Sequence, residues 1–342
     1  MGVKLSDLVE KKRLSFEDLK NKKIAVDFSN AAYQFLSSIR QPDGTPLMNS
    51  KGKVTSHLQG ILSRSANLLS QGIKIAYIMD GPPPHLKLTT QESRHEVKVK
   101  AEEKYESARE EGDFELMLKY SKQFIRLTKD MAEESKELIA ALGMPVIQAP
   151  CESDAQITYL CKVGDVWAAS STDFDTLLHG CPRMLTNLTL SQKRKTSTGA
   201  TVTVFPELIE LNQVLNTLKI NQDQLIALGI LTGTDYHKGI HGVGPKKALK
   251  IVTEFKTPEK IFEKYPLEDQ DWREIFDLFK NMEVKKNYKL EWNPPDIKKV
   301  LKILVERNEF SEERVIGAIN KMIGNSTKAK ITPDQKGLGS WL

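Results

Sequence analysis

Through the first half of the chain, short apolar runs alternate with stretches whose apolar positions recur at helical spacing. Ile24-Ala-Val26, Ile73-Lys-Ile-Ala-Tyr-Ile-Met79, Met144-Pro-Val-Ile147 and Val166-Trp-Ala-Ala169 have the length and composition of buried strands. A helical pattern around Leu58–Leu69 lies between the first two, and Asp154–Lys162 forms another between the last two. Strand, helix, strand in this rhythm predicts an α/β fold, with a mostly parallel central sheet flanked by helices.

The rhythm breaks from about residue 82 to 137. There the chain is rich in Glu, Lys and Arg, with a thin apolar stripe at Tyr105, Phe114, Leu116, Met117, Leu118 and Phe124. Such a pattern predicts helices standing off the core, or a mobile loop. Farther on, Asn221–Gly233 and Lys246–Phe255 are expected as two helices joined by a glycine-rich turn. The paired prolines of Trp292-Asn-Pro-Pro295 predict another turn, and Ser311 an N-cap for a last helix ending near Gly324. Residues 1–325 are expected as a single domain and 326–342 as a flexible polar tail; no internal repeat is visible.

Composition narrows the class without choosing a function. With 342 residues, 39% hydrophobic and 28% charged, the chain can bury a core and is not of the disordered type. No apolar run approaches the roughly 18 residues of a membrane span. No charged-then-apolar leader opens the chain either, so an intracellular protein without a membrane partner is expected. A formal net charge of +5 suits a polyanionic partner and equally an ordinary surface. Cys151, Cys161 and Cys181 form no Cys-x-x-Cys pair, which argues against zinc and for a reducing compartment.

The acids change the picture. Asp27 follows the first apolar run and Asp80 the second; Glu152 and Asp154 come shortly after the third, Asp173 and Asp175 after the fourth. In a parallel sheet the carboxyl ends of the strands share one edge, so these acids are expected to converge there. A single strand-end Asp is as readily a helix N-cap. Capping does not account for the doubled pairs. Like charges crowded together raise one another's pKa and destabilise the fold, unless a cation neutralises them. Oxygen ligands without His or Cys suit a hard ion such as Mg²⁺ or Mn²⁺. Two such ions can clamp a phosphodiester, one activating a water and the other stabilising the leaving oxygen. Lys87 and Arg94 are candidate cations opposite the acids, two helical turns apart on one face, though charges on such a helix can equally be only solvated.

Two further motifs bear on partners. Gly242-Val-Gly244-Pro245-Lys246-Lys247 lies between two expected helices. Its glycines let backbone N–H groups approach a phosphate, the following helix N-terminus favours an anion, and the lysines add charge. That is how a helix-hairpin-helix element holds a nucleic-acid backbone. The tail ends Gln335-Lys-Gly-Leu338-Gly-Ser-Trp341-Leu342, whose apolar residues favour burial against a partner.

Taken together, these motifs resemble the XPG-type, structure-specific 5′ nuclease family of flap endonucleases. The resemblance runs through Ile24-Ala-Val-Asp27, Asp80-Gly81 with Pro83-Pro84, Ala149-Pro150, Asp173-x-Asp175 and Gly233-Thr-Asp235-Tyr236. It continues through Gly242-x-Gly244-Pro245, Trp292-Asn-Pro-Pro295 and Phe310-Ser-Glu-Glu-Arg-Val315. It implies a two-metal site built from Asp27, Asp80, Glu152, Asp154, Asp173, Asp175 and Asp235, the last chosen by the resemblance alone. It also implies that Lys87 and Arg94 contact the scissile phosphate, that Tyr33 stacks on a base near the cut, and that Arg40 and Arg64 touch the DNA backbone. By the same resemblance, 82–137 is a helical arch for a single-stranded 5′ flap. Residues 221–255 become a helix-two-turn-helix that holds duplex and a K⁺ ion, and the tail a binding motif for the replication sliding clamp. Chain length and tail are similar to archaeal members. Where the family usually has Glu-x-Glu, this chain has Glu152-Ser-Asp154.

The expected function is therefore divalent-metal-dependent DNA endonuclease activity. It would cleave 5′ flaps near the single-strand/duplex junction in replication and repair, with 5′-3′ exonuclease activity besides, and the protein would be a monomer by itself. The alternative is a non-catalytic branched-DNA-binding adaptor on the sliding clamp, which keeps the acids for structure.

Overall fold

The strands are β1 (Lys12–Arg13), β2 (Lys23–Asp27), β3 (Lys74–Met79), β4 (Val146–Gln148), β5 (Ala168–Ser170), β6 (Arg183–Thr186), β7 (Lys193–Lys195), β8 (Thr201–Thr203) and β9 (Glu207–Glu210). They belong to a computed structural model that describes residues 3, 5–41, 44–110, 113, 116, 120, 126–189, 193–195 and 201–324, without the side chains of 88–95, 106, 109, 110, 193–195 and 201. Among these residues seven strands form one sheet in the order β1-β9-β6-β5-β2-β3-β4, while β7 and β8 pair separately. The pairings β6-β5, β5-β2, β2-β3 and β3-β4 are parallel. β9 returns antiparallel to β6, and β1 antiparallel to β9. The parallel centre follows the apolar runs of the sequence. The mixed edge is built from strands too short to stand out as patterns.

Both faces of the centre are covered, as a parallel sheet requires. Ile24 and Val26 of β2 join one core with Phe28 and Phe35 of α1 (Phe28–Ser38), Leu58, Ile61 and Leu68 of α2 (Ser56–Ser70), and Val315 and Ile319 of the helix Glu312–Ile323. Ala25 points the other way, into a core with Ile78, Ile147, Ile157 and Leu160. The period-two alternation of a strand is thus visible within three residues. A third core joins Val3, Leu5, Leu177 and Leu178 to Leu225–Leu231 and to the helices that follow.

The charged segment is mostly helical where described. A 3₁₀ turn, His85–Lys87, leads into α3 (Leu88–Glu110), and Lys129–Ala141 returns to the core. Tyr105 and Ala108 bury against Leu116 and Tyr120; positions 114, 117, 118 and 124 of the expected stripe lie outside the described residues. The two expected helices are Gln222–Thr232 and Pro245–Phe255. Asn221 caps the first in a reciprocal box: its side chain accepts from Gln224 N (2.9 Å), and Gln224 accepts from Asn221 N (2.9 Å). Ser311 accepts from Arg314 N (3.4 Å) at the start of the last helix, which Gly324 ends at φ +69°.

The segment Trp292-Asn-Pro-Pro295 is a correction: it is irregular, extended chain rather than a turn. Its polar groups are spent on the body of the protein. Trp292 Nε1 donates to Ile75 O (2.8 Å) and Asn293 N to Gly143 O (2.8 Å). The prolines, lacking N–H, suit a strap that forms no ladder. Among the described residues no helix is long and apolar enough to cross a membrane.

Candidate metal centre

β2 delivers Asp27 as its last residue, and Asp80 follows β3 directly. Asp27 is buried and caps α1, accepting from Asn30 N (3.1 Å) and from Ser171 Oγ (3.4 Å). Here the capping role and the convergence of acids coexist. Asp80 accepts from Ser29 Oγ (2.5 Å) and from Ser153 N (2.8 Å), tying the starts of α1 and of the helix Ser153–Lys162 to the same carboxylate. Glu152 stands just before that helix and accepts from Lys87 Nζ and from the buried Tyr236 hydroxyl. Asp154, one turn in, accepts from Thr176 Oγ1 (2.6 Å).

After β5, Asp173 accepts from Asp175 N (3.1 Å), and Asp175 from Val3 N (3.0 Å). One carboxylate oxygen from each of Asp173, Asp175 and Asp235 lies within 4.8 Å of the others. Asp235 is carried by the connector between the helices Gln222–Thr232 and Pro245–Phe255, far in sequence from every strand end. Only the Gly233-Thr-Asp-Tyr236 pattern could point to it. Strand-end reasoning also missed Ser29, Thr176, Tyr236 and the Val3 amide, which hold the acids in place; of these only Tyr236 falls in that pattern.

Burial and mutual repulsion act on this group together. Burial, followed by the charges of Asp80 and Asp173, pushes the Asp27 carboxyl up to about 7. Asp154 is raised by burial and then by Asp27 and Asp173; Asp175 by burial and then by Asp173 and Asp235. Asp173 is raised by burial, with Asp235 adding to it. These mutual effects link the acids into one electrostatic unit. Lys87 is the cation within it: Nζ lies 3.3 Å from Asp235 Oδ2 and also bonds Glu152. Burial alone would lower its pKa, but Glu152 and Asp235 hold it above the usual range. One lysine cannot neutralise seven carboxylates, so without a further cation part of the group holds protons. An all-oxygen donor set with that excess of acids fits hard divalent cations.

Lys87 ends the 3₁₀ turn and Arg94 lies within α3, so the two do not share one continuous α-helical face as expected; the Arg94 side chain is outside the described residues. Tyr33, on α1, is 39% exposed, with Lys98 Nζ 5.1 Å from its ring centroid. Arg40 is turned inward, Nε donating to Leu36 O (2.9 Å) and Nη1 to Gly44 O (2.6 Å). Arg64, on α2, buries its Nε without a hydrogen-bond partner. In the hairpin, Gly242 has φ +73°, where a side chain would be strained, and Gly244 precedes Pro245 at the helix start. A Cβ at either would meet nothing within 4 Å, so the loop is open to an approaching ligand. Lys246 and Lys247 are exposed, and Lys247 Nζ reaches Gly242 O at 3.4 Å. Gln335, Leu338, Trp341 and Leu342 lie outside the described residues.

A doubly covered α/β sheet with a carboxylate rim and a lysine among the acids defines a metal-dependent phosphoryl-transfer class of protein. Known proteins narrow it. Residues 1–101 match the XPG N-terminal domain and residues 143–235 the XPG I-region. The chain is 44% identical to flap endonuclease 1 of Hyperthermus butylicus, covering 100% of this chain and 99% of that protein. Against flap endonuclease 1 of Pyrococcus furiosus the figures are 44%, 100% and 99%. Among solved structures, flap endonuclease-1 from Methanococcus jannaschii superposes with a TM-score of 0.75 at 41% identity, over 94% of this chain and 98% of that one. The catalytic core of Rad2 in complex with DNA shares the fold at 22% identity, with a TM-score of 0.70, over 94% and 100%. The chain belongs to the flap endonuclease family of nucleases.

Proposed function

We propose that this protein is a structure-specific endonuclease that hydrolyses branched DNA near the base of a 5′ flap, with 5′-3′ exonuclease action on the same centre. The supporting observation is the electrostatic unit of seven carboxylates gathered from five separate segments around Lys87. Divalent cations, Mg²⁺ in the cell and Mn²⁺ as a substitute, would supply a water of lowered pKa and neutralise charge at the leaving oxygen. Asp173, Asp175 and Asp235 offer one ligand set, and Asp27, Asp80, Glu152 and Asp154 complete the donors.

The chain's own groups do the rest. Lys87, with Arg94 on the following helix, supplies fixed positive charge to the phosphate being cut. Tyr33 presents an exposed ring on α1 for a base to stack on, with Lys98 to be displaced from its face. The open loop Gly242–Lys247 takes the duplex backbone, and its carbonyls would hold K⁺. Arg40 would reach DNA by giving up its bonds to Leu36 O and Gly44 O, and Arg64 would do so from α2. Segment 82–137 would arch over the single-stranded flap. The tail 326–342 would tether a monomeric enzyme to the replication sliding clamp through Gln335, Leu338, Trp341 and Leu342, inside the cell where chromosomal DNA is copied.

A non-catalytic adaptor has no need of such an excess of acids, which burdens a fold that does not load cations. Labelled flap, duplex and single-stranded DNA, incubated with Mg²⁺ and resolved on a gel, test the proposal. Wild type should cut the flap near its junction, while Asp175→Asn should bind it and leave it whole. Binding without turnover by the wild type in either Mg²⁺ or Mn²⁺ would favour the adaptor instead.

A further inference from the structure

The acids occupy one edge of the sheet, and cations occupy the other. Lys23 opens β2 and Lys74 opens β3, Cα partners in parallel register. Arg183 opens β6, and Trp167 immediately precedes β5. Those four strands are neighbours, so the positions form a row about 14 Å long at the ~4.8 Å strand spacing. Indoles alternate with cations along it. The Trp167 ring centroid has Lys22 at 5.3 Å and Arg183 at 5.6 Å. The Trp292 centroid has Lys23 at 5.7 Å and Lys74 at 5.9 Å. Both indoles are fixed: Trp167 donates its backbone N to Lys23 O (2.7 Å) and accepts from Arg183 Nε (2.7 Å), and Trp292 Nε1 is bonded to Ile75 O.

Like charges abreast on neighbouring strands repel. Among the described residues none of Lys22, Lys23, Lys74 and Arg183 is paired with a carboxylate. The acids on adjoining segments are not ion-paired with the row. Asp165 accepts from the Tyr288 hydroxyl (2.5 Å), Glu17 pairs with Lys20 (3.1 Å), and Glu291 is exposed. The indole faces offset part of the repulsion and hold the cations in place. Lys23 and Lys74 remain exposed to solvent.

We propose that this strand-start edge is a second, non-catalytic nucleic-acid contact, holding the phosphate backbone of a substrate arm that runs on past the carboxylate rim. It rests on branched DNA being the substrate. From Lys23 to Asp27, β2 spans ~13 Å at the rise of a strand, so the phosphate at the acids cannot also sit on the cations. Only an arm that continues around the sheet reaches both. Because the indole faces are taken by cations, no base stacks there, and the contact reads charge without sequence. One strand carries a phosphate per ~3.4 Å of helix axis, so a row of about 14 Å faces about four of them, against three strand-start cations with Lys22 beside them.

The double variant Lys23→Gln/Lys74→Gln, in the full chain, removes two exposed charges that bond no acid. Its melting temperature should equal that of wild type. Two flap substrates are compared, one with arms that end near the rim and one with long duplex arms. On the long arms, the slope of log affinity against log salt should become shallower by about 2, one unit per lysine, and Lys74→Gln alone should give about 1. Affinity and cleavage rate on the short-armed flap should not change. Identical slopes for variant and wild type on long arms overturn the proposal, as does an equal loss on both substrates. If polyglutamate binds wild type but not the variant while the DNA slopes coincide, the edge takes an acidic polypeptide and the nucleic-acid assignment falls. Failure of wild type to cut either flap would instead overturn the endonuclease reading, which the salt slopes do not test.

Discussion

Lys87 Nζ lies 3.3 Å from Asp235 Oδ2, and the same ammonium group bonds Glu152. One cation thus joins acids that stand on opposite sides of the centre in sequence. Lys87→Ala should lower the single-turnover cleavage rate by about 10²–10³-fold at saturating Mg²⁺, the usual cost of losing one fixed charge-stabilising donor. Flap affinity, measured separately in Ca²⁺ to prevent cutting, should fall far less. Equal losses in binding and rate would make Lys87 an anchoring residue and not a catalytic one.

The crowding of acids should show as a dependence of stability on pH. Asp27 is pushed up to about 7 by burial, then by Asp80 and Asp173. Between its ordinary value and about 7 the folded state therefore binds more protons than the unfolded chain. Its contribution is fully present below the ordinary carboxylate pKa and is lost as pH rises through about 7. In EDTA, the protein should melt at a lower temperature near pH 8 than near pH 6. Mg²⁺ should flatten that slope and, at a hundredfold excess over its Kd, add about 2.7 kcal/mol. Thermal melts across pH with and without Mg²⁺ measure both. A slope of the opposite sign would contradict the burial argument.

Tyr236 positions Glu152 through its buried hydroxyl. Tyr236→Phe keeps the ring and removes the donor, leaving a carboxylate oxygen short of a partner at a cost of about 1–3 kcal/mol. Groups that orient a metal ligand typically matter 10–100-fold in metal affinity. The Mg²⁺ concentration for half-maximal cleavage should rise by that factor, with the maximal rate largely recovered at high Mg²⁺. An unchanged Mg²⁺ titration would show that Glu152 needs no such support.

Packing behind the centre should be equally sensitive. A Cβ on Gly229 would lie 2.5 Å from Leu178 Cδ1 and 3.4 Å from Val3 Cγ2. Gly229→Ala should cost about 1–3 kcal/mol by overpacking. It should also slow cleavage, because Val3 supplies the backbone N–H that Asp175 accepts. Urea midpoints and cleavage rates separate the two effects. Loss of stability with full activity would mean that the Val3 amide is not needed at the site.

For the tail, a chain lacking residues 335–342 should cleave flap DNA at the wild-type rate and lose stimulation by the sliding clamp. Equal stimulation of both forms in a clamp-titrated assay would remove Gln335, Leu338, Trp341 and Leu342 from that role.

The central strands were legible because apolar runs flanked by acids survive without context: Lys23–Asp27 and Lys74–Met79 lie almost where the sequence places them. Such runs also say where strands end, which is why Asp27 and Asp80 could be read as rim residues. Asp235 was hidden from that reasoning because a connector, not a strand, carries it. Arg40 illustrates a different limit. The resemblance implies a DNA contact, but its guanidinium is already used by Leu36 O and Gly44 O. Trp292 was obscured by proline statistics, since chain fixed to a neighbouring strand by one indole N–H looks locally like a turn. Lys87 and Arg94 were placed on one helical face, and the 3₁₀ turn before α3 breaks that spacing. Arg40 and Lys87 are decided by neighbours within a turn or two, Trp292 by a strand distant in sequence.

Asp235 and Tyr236 lie on the same short connector as the open loop at Gly242–Gly244. The acid, the hydroxyl and the loop therefore share one stretch of backbone, so a substitution that shifts the loop would also be felt at Asp235 and at the Tyr236 hydroxyl.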